Sequence, residues 1–159
     1  MDLKKLNQSF YDDNIHLPQA MDFDIQSGTW LDNKVRGHGV VSITIEDLVF
    51  AIPVRSYIKH DAALILEVNR RNRSVKGMGL DYTKALLIKD QSHISDNIFV
   101  LRSKKAGKKL KDKEAHVKKQ FTKYVKKYIT AVRTNDQAVL GSYEYIHTTL
   151  INYHTELKI

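Results

Sequence analysis

The sequence predicts an α+β domain in which several short strands come first and helices follow. Between residues 39 and 101, short β-branched and apolar runs alternate with polar turns, a pattern typical of a multi-stranded sheet. From Val117 to Val132, apolar residues recur at steps of three and four, which is typical of an amphipathic helix. We therefore expect a compact, strongly bent, antiparallel, barrel-like sheet with packed helices, two of them C-terminal.

Length and composition limit the class of protein. A chain of 159 residues is expected to form one domain, residues 1–159. Its 26 Lys and Arg exceed its 18 Asp and Glu, and a net charge of +8 favours polyanionic partners. The absence of cysteine excludes disulfides, thiolate catalysis and cysteine-based zinc sites. With no apolar run of transmembrane length and no signal peptide, we expect a cytoplasmic protein without a membrane partner.

The sheet is expected to contain a β-hairpin. Its strands are Gly39–Ile45 and Leu48–Ile52, joined at Glu46-Asp47, and Pro53 is expected to end the ladder because it lacks an N–H. Residues 3–10 fit either a strand or a helical turn. The remaining predictions are a turn at Asp32-Asn33-Lys34 and strands at Ala62–Val68, Ala85–Ile88 and Ile98–Leu101.

Two helices are predicted in the C-terminal third. The apolar face of the first consists of Val117, Phe121, Tyr124, Tyr128 and Val132. Gly141 is expected to separate it from the second, which runs from Tyr143 to Leu157 with Ser142 as the N-cap.

A lysine-rich segment, residues 102–127, holds twelve cations and only two acids, Asp112 and Glu114. Such a segment is either a solvated helix face or a nucleic-acid contact, and the cationic loop at residues 70–73 favours the second. No DNA-reading motif is visible, so RNA is preferred. The predicted RNA-binding residues are Arg55, Tyr57, Arg70, Arg71, Lys84, Lys104, Lys105, Lys108, Lys109, Lys118, Lys119, Lys123, Lys126 and Lys127.

The segment Phe50–His60 carries the candidate chemistry. After an apolar run it offers Arg55, Ser56, Tyr57, Lys59 and His60, a set suited to handling a phosphodiester. The alternative is an ordinary polar loop after a strand. The seven histidines show no metal-ligand spacing, and we expect neither a metal nor a cofactor.

Metal-independent RNA cleavage fits these residues. Fixed cations can stabilise the phosphorane in place of Mg²⁺, a role for Lys59, Arg55 or Arg36. His60 is suited to be the acid or the base, and Ser56 to orient the phosphate or relay a proton. Alternatively, Arg36 pairs with Asp32 or Asp47, His60 caps a strand end, and Ser56 satisfies the backbone of a turn.

The chain resembles the toxins of type III toxin–antitoxin systems, the ToxN/AbiQ superfamily, and most closely its TenpN branch. Five segments in order carry the resemblance over nearly the whole chain. They are residues 3–11 (LKKLNQSFY), 34–39 (KVRGHG), 50–60 (FAIPVRSYIKH), 76–88 (KGMGLDYTKALLI) and 149–157 (TLINYHTEL).

This resemblance implies an endoribonuclease toxin on a compact barrel similar to PemK/Kid-type toxins. It implies metal-independent cleavage of cellular or phage RNA that leaves a 2′,3′-cyclic phosphate. It also implies inhibition by a small pseudoknot antitoxin RNA in a closed toxin–RNA hetero-oligomer, and a role in phage defence by abortive infection. The lysine-rich segment would belong to the antitoxin-binding surface.

The family's catalytic Pro-Leu-Thr-Ser segment falls on residues 53–56, so Ser56 matches the catalytic hydroxyl and Arg55 replaces a threonine. The family's following lysine matches Lys59, its basic residue before a Gly-hydrophobic strand matches Arg36, and its N-terminal active-site tyrosine matches Tyr11. Two other functions stay open on the sequence: a non-catalytic RNA-binding protein and a DNA-binding regulator.

Overall fold

The structure is a computed structural model that describes residues 1–32 and 35–159. The predicted turn at Asp32-Asn33-Lys34 therefore lies largely outside the described residues, as does Lys34 of the resembling segments. The strands are β1 (Leu3–Leu6), β2 (Phe23–Asp24), β3 (Thr29–Trp30), β4 (His38–Ser42), β5 (Val49–Ile58), β6 (Ala63–Val68), β7 (Gly77–Asp81), β8 (Leu86–Ile88) and β9 (Ile94–Phe99).

Helices lie between and after these strands. The α-helices are α1 (Gln8–Asp13), α2 (Lys104–Leu110), α3 (Glu114–Arg133), α4 (Gln137–Leu140) and α5 (His154–Leu157). Short 3₁₀ helices span Tyr82–Lys84, Gln91–His93 and Thr149–Tyr153. Residues 3–10, which fitted either a strand or a helical turn, hold both β1 and the start of α1.

The main sheet is antiparallel and has the strand order β6-β7-β5-β4-β1-β9, with β8 paired to the first part of β5. β2 and β3 form a separate two-stranded sheet. The prediction of an α+β fold with a large antiparallel sheet is confirmed. Within the described residues the main sheet is open, with β6 and β9 at its edges, so closure into a barrel is not confirmed.

The predicted hairpin between β4 and β5 is confirmed. Glu46 and Asp47 both have positive φ, 51° and 52°, and Leu48 N–H donates to the Ile45 carbonyl. Two central residues with positive φ make a type I′ turn, whose twist matches that of the flanking strands.

The prediction that Pro53 ends its strand is wrong, because β5 continues to Ile58. Val54 N–H donates to Gly37 on the β4 side, and hydrogen-bonding groups of successive strand residues point in opposite directions, so Pro53 N faces away from β4. On that side of β5, residues 49–51 pair with β8, and the pairing with β7 begins at Val54. Pro53 therefore lies at the gap between the two partner strands. No ladder bond is required at that gap, so proline is tolerated.

The first predicted C-terminal helix is confirmed as α3. Val117, Phe121, Tyr124 and Tyr128 are buried along one face, while the predicted RNA-binding lysines of this helix are exposed. The lysine-rich segment also contains α2, which was not predicted. Ser103 accepts from Ala106 N–H at its start, and Ala106 and Leu110 bury one side of the helix.

The second predicted helix, Tyr143–Leu157, is wrong as a continuous element. The chain there makes a turn, the 3₁₀ helix Thr149–Tyr153 and then α5. Thr148 accepts from Leu150 N–H and from the Tyr124 hydroxyl, and the Thr149 hydroxyl donates to the Ala85 carbonyl. These hydrogen bonds cap the 3₁₀ helix and hold the segment against Tyr124 of α3 and the Ala85 carbonyl. Side-chain hydrogen bonds of this kind compete with the backbone bonds of a regular α-helix.

Helix α3 covers the sheet through aromatic contacts. Phe121, fully buried on α3, packs edge-on against Phe50 of β5, with ring centroids 5.1 Å apart. The same ring lies 5.9 Å from that of Tyr82, the first residue of a 3₁₀ helix. The position of Phe121 therefore couples α3 to β5 and to the segment that follows β7.

Replacing Phe121 with alanine is expected to destabilise the fold by about 3–5 kcal/mol, because it removes a buried ring and leaves a cavity. Urea denaturation followed by circular dichroism measures this. Lys123→Ala, an exposed change on the same helix, serves as the control and should shift stability by about 0.5 kcal/mol or less. A loss below about 1 kcal/mol for Phe121→Ala would contradict the packing described.

Candidate functional site

A fully buried carboxylate, that of Asp81, organises the candidate site. Its Oδ2 accepts from Arg55 Nη1 at 2.9 Å, and its Oδ1 accepts from the Thr83 hydroxyl at 2.7 Å and from Thr83 N–H at 3.0 Å. His60 Nε2 lies 3.2 Å from Oδ1. Asp81 itself is 0% exposed, so these groups compensate its charge in place of water.

The surroundings of Asp81 favour its ionised form. Burial of the carboxyl group raises its pKa, but the adjacent His60 imidazole, the Thr83 hydrogen bonds and the Arg55 guanidinium outweigh that effect and lower the pKa overall. The Asp81 carboxylate lies beside the His60 imidazole and can help to hold that ring in one orientation.

Local sequence explains how these groups come together. Asp81 ends β7 and caps the 3₁₀ helix Tyr82–Lys84 by accepting from Thr83 N–H, a typical use of Asp two residues before a bonded amide. On β5, the pairing with β7 shifts register between Arg55 and Ile58, which marks a bulge. Bulges re-aim side chains beside functional sites, and His60 follows two residues after this strand ends.

The site opens into a cavity of about 780 Å³, here called the basic cavity. It is lined by Gln19, Arg55, Tyr57, Lys59, His60, Thr83, Lys84, Gly141, Tyr143, Ile146 and His147. This set brings together the loop after α1, the end of β5, the 3₁₀ helix at 82–84 and the turn after α4. Among the described residues no acidic side chain lines it, so its cations face the cavity without a competing carboxylate on the wall.

His60 is the buried titratable side chain of the cavity wall. It is 7% exposed, and neither of its ring nitrogens, both of which are buried atoms, forms a hydrogen bond of good geometry with a described residue, although Nε2 lies 3.2 Å from Asp81 Oδ1. Buried polar atoms are normally paired, so an unpaired imidazole beside a cavity is a candidate for contact with a ligand. Because Nε2 lies against Asp81, Nδ1 is the ring nitrogen that has no polar neighbour among the described residues.

Lys84 connects two segments of the cavity wall through hydrogen bonds. Its Nζ donates to the Gln19 carbonyl at 2.9 Å and to the His147 carbonyl at 2.7 Å, which links the N-terminal loop to the C-terminal turn. The pKa of this ammonium is lowered to about 8, mainly because the group is buried; Asp81 opposes the shift and Arg55 adds to it. An amine with this pKa can hold either charge state near neutral pH.

The predicted site residues separate into two groups. Arg55, Tyr57, Lys59, His60 and Lys84 line the basic cavity. The other three predicted catalytic residues, Tyr11, Arg36 and Ser56, do not line it.

Arg36 belongs to a second cluster near the N-terminus. Its guanidinium donates to both Asp22 carboxylate oxygens, at 2.9 and 3.0 Å, and to the Val54 carbonyl. Tyr11 lies nearby, and its pKa is raised by burial and by the Asp22 charge. The predicted alternatives that pair Arg36 with Asp32 or Asp47 give way to Asp22, whose carboxylate occupies the guanidinium face that a phosphate would need.

Ser56 is exposed on β5 between two residues of the basic cavity, Arg55 and Tyr57. Its hydroxyl forms no hydrogen bond with a described residue that would fix its orientation. The role that the resemblance gives to Ser56 stays a prediction.

The predicted RNA-binding cations outside the cavity line two further grooves. Arg70, Arg71, Lys105 and Lys109 lie along edge strand β6 and helix α2. Lys118, Lys119, Lys123 and Lys126 line the second, beside Thr44. Lys104, Lys108 and Lys127 are exposed as well, and none of the cations in these two sets forms an ion pair within the described residues. Their exposure is confirmed, and their contact with RNA stays a prediction.

Several residues of the candidate site were not predicted: Asp81 below the cavity, and Gln19, Thr83, Gly141, Tyr143, Ile146 and His147 in its lining. The spacing Asp81-Tyr82-Thr83 carries a usable signal, since an Asp two residues before Thr often caps a turn. Gln19 and the residues from 141 to 147 lie in turns far from β5 in sequence, and tertiary packing, including the bonds of Lys84 to the Gln19 and His147 carbonyls, brings them to the cavity.

Comparison with protein-family models, with curated proteins and with solved structures finds no match for this chain. Within residues 1–32 and 35–159, no cluster of three or more His, Asp or Glu side chains could hold a metal ion. None of the described helices combines the length and the apolar character needed to cross a bilayer.

The Lys84 ammonium is expected to titrate near pH 8, against about 10.4 for an unperturbed lysine. In spectra of protein with ¹³C-labelled lysines, one ε-carbon resonance should have a midpoint of about 8 and be absent from Lys84→Met. Between pH 8 and 10 the unfolded chain keeps the proton that folded Lys84 has lost, so the stability of the wild type relative to Lys84→Met should rise. A midpoint above 10 would contradict the burial described.

Proposed function

We propose that this protein is an endoribonuclease that cleaves RNA without a metal ion, with the basic cavity as its catalytic centre. The observation that carries the proposal is His60, a buried imidazole at the cavity wall with a free Nδ1 and a buried carboxylate against its other nitrogen. Three cations, Arg55, Lys59 and Lys84, line the same cavity.

The proposed reaction is an internal transesterification of the RNA. The ribose 2′-oxygen attacks the adjacent phosphorus, its proton passes to a base, and the P–O5′ bond breaks as the leaving oxygen gains a proton. The products are a 2′,3′-cyclic phosphate and a 5′-hydroxyl, and no oxidant, reductant or water molecule is consumed. The demand on the protein is proton transfer at two oxygens and stabilisation of the charged phosphorane.

The cavity residues match those demands. His60 supplies proton transfer, and Asp81 acts as a positioning residue because it contacts the imidazole and lies buried below the cavity. Arg55 uses Nη1 on Asp81, which leaves its remaining N–H groups for the phosphate. Lys84 holds its ammonium at the wall through two carbonyls, a fixed charge that needs little reorganisation when the phosphorane forms.

The resemblance favours a different set of catalytic residues: Ser56, Arg36 and Tyr11. Ser56 lies between two cavity residues along β5 but does not line the cavity, so its catalytic role rests on the resemblance alone. Arg36 is less suited to hold a phosphate, since Asp22 and the Val54 carbonyl accept from all three of its guanidinium nitrogens, whereas Arg55 uses only Nη1. We therefore give the chemical step to the cavity and propose that Arg36 fixes the N-terminal loop against β5.

The wider proposal follows the resemblance to type III toxins of the ToxN/AbiQ superfamily. It includes a bent sheet related to that of PemK/Kid-type toxins, action on cellular or phage RNA in the cytoplasm, and inhibition by a pseudoknot antitoxin RNA in a closed assembly. The two cationic grooves support RNA binding. When their clustered, unpaired cations neutralise phosphates, condensed counterions are released, and this release favours association. A protein that only binds RNA needs the grooves but not the buried His60–Asp81 pair.

His60→Gln is expected to slow RNA cleavage by about 10²-fold or more, because it removes the proton-transfer group. The assay incubates purified protein with a generic RNA in EDTA and maps the product ends, which should carry 2′,3′-cyclic phosphates. RNA affinity of the variant, measured by gel shift, should stay within about twofold of the wild type.

Ser56→Ala and Arg36→Lys, assayed in parallel, separate the two assignments. If cleavage survives His60→Gln and is lost in these variants, the catalytic centre lies in the N-terminal cluster and the cavity assignment is wrong. If the wild type binds RNA and never cleaves it, the protein is a binding protein instead.

A further inference from the structure

Two tyrosines at the basic cavity differ from the rest of the chain's tyrosines. Tyr57 is 66% exposed and Tyr143 is 70% exposed, whereas the other six are buried or half-buried. Neither ring packs against another aromatic ring among the described residues, and neither hydroxyl forms a hydrogen bond there. Most of each side chain is therefore open to solvent.

Both exposed rings line the same cavity as His60 and the three cations. Tyr57 comes from the bulged end of β5, and Tyr143 comes from the turn that follows α4. Ile146, 52% exposed, adds an apolar surface beside them. The cavity therefore combines flat apolar surfaces with cations, two features that suit a nucleotide with an accessible base and a charged phosphate.

The pairing of exposed rings with cations narrows the form of nucleic acid that fits. A tyrosine ring can stack only on a base whose face is free, and in a duplex both faces of each internal base are covered by neighbours. Cations alone would accept either form, because phosphates are present in both. The two rings therefore add a preference for single-stranded over duplex nucleic acid, which the cations alone do not provide.

We propose that Tyr57 and Tyr143 stack on unpaired bases that flank the phosphate in the basic cavity, which makes single-stranded RNA the substrate class. This inference deepens the proposed function and rests on it, because it takes RNA as the occupant of the cavity. The tyrosines are binding residues that position the strand, and the chemical step stays with the cavity's proton-transfer group and cations.

Binding to an uncleavable RNA tests the inference separately from catalysis. The probe is a short single-stranded RNA with 2′-deoxyribose at every position where the wild type cuts, or an unmodified one if it does not cut. The comparison is the same RNA annealed to its complement. Tyr57→Ala and Tyr143→Ala should each weaken single-strand binding about tenfold, since stacking on one base is worth roughly 5- to 150-fold in affinity.

Tyr57→Phe and Tyr143→Phe are the matched controls, because they keep the ring and should bind within about twofold of the wild type. Ile98→Ala, an exposed change on the edge strand β9, should leave binding unchanged. The duplex should bind at least tenfold more weakly than the single strand and be indifferent to the alanine changes.

Alanine variants that bind like the wild type, or a duplex that binds as tightly as the single strand, would overturn the inference. The outcomes also separate it from the proposed function. Tenfold losses in the alanine variants of a protein that never cleaves RNA would support stacking and defeat the nuclease proposal. Full cleavage together with unchanged single-strand affinity in both alanine variants would defeat the stacking inference and support the nuclease proposal.

Discussion

Burial of the Asp81 carboxylate is the constraint on which the candidate site depends. A carboxylate removed from water must be compensated by hydrogen bonds and positive charge, or the fold loses several kcal/mol. Here the compensation comes from β5 through Arg55, from the residues after β5 through His60, and from the 3₁₀ helix through Thr83. One electrostatic requirement thus joins three segments and fixes an imidazole at the wall of the basic cavity.

Features of the fold that depend on local sequence could be predicted. The β4–β5 hairpin follows from alternating apolar residues around a two-residue turn, and α3 follows from the spacing of Val117, Phe121 and Tyr124. The failures occur where distant contacts decide the local structure. Pro53 stays within β5 because the partner strand on one side changes there from β8 to β7. The predicted helix from Tyr143 is not formed as one element, and at Thr149 the chain is held by a hydrogen bond from the hydroxyl to the Ala85 carbonyl.

The candidate site divides in the same way. Residue types on one short segment were enough to select Arg55, Lys59 and His60, because charge and imidazole chemistry are visible in the sequence. The partner that orients His60 was not predicted, since Asp81 reaches it only through the pairing of β5 with β7. Arg36 shows a different error: an ion pair was one of the predicted alternatives, but its partner is Asp22, which tertiary packing and not sequence proximity selects.

The position of the scissile phosphate tests the central claim most directly. A crystal structure of the wild-type protein with an RNA carrying 2′-deoxyribose at the cleavage position would capture the uncleaved strand. The account predicts the scissile phosphate in the basic cavity, within hydrogen-bond distance of Arg55 or Lys84, with His60 Nδ1 facing the reacting oxygens. A phosphate bound instead beside Arg36 and Tyr11, with the cavity empty of RNA, would contradict it.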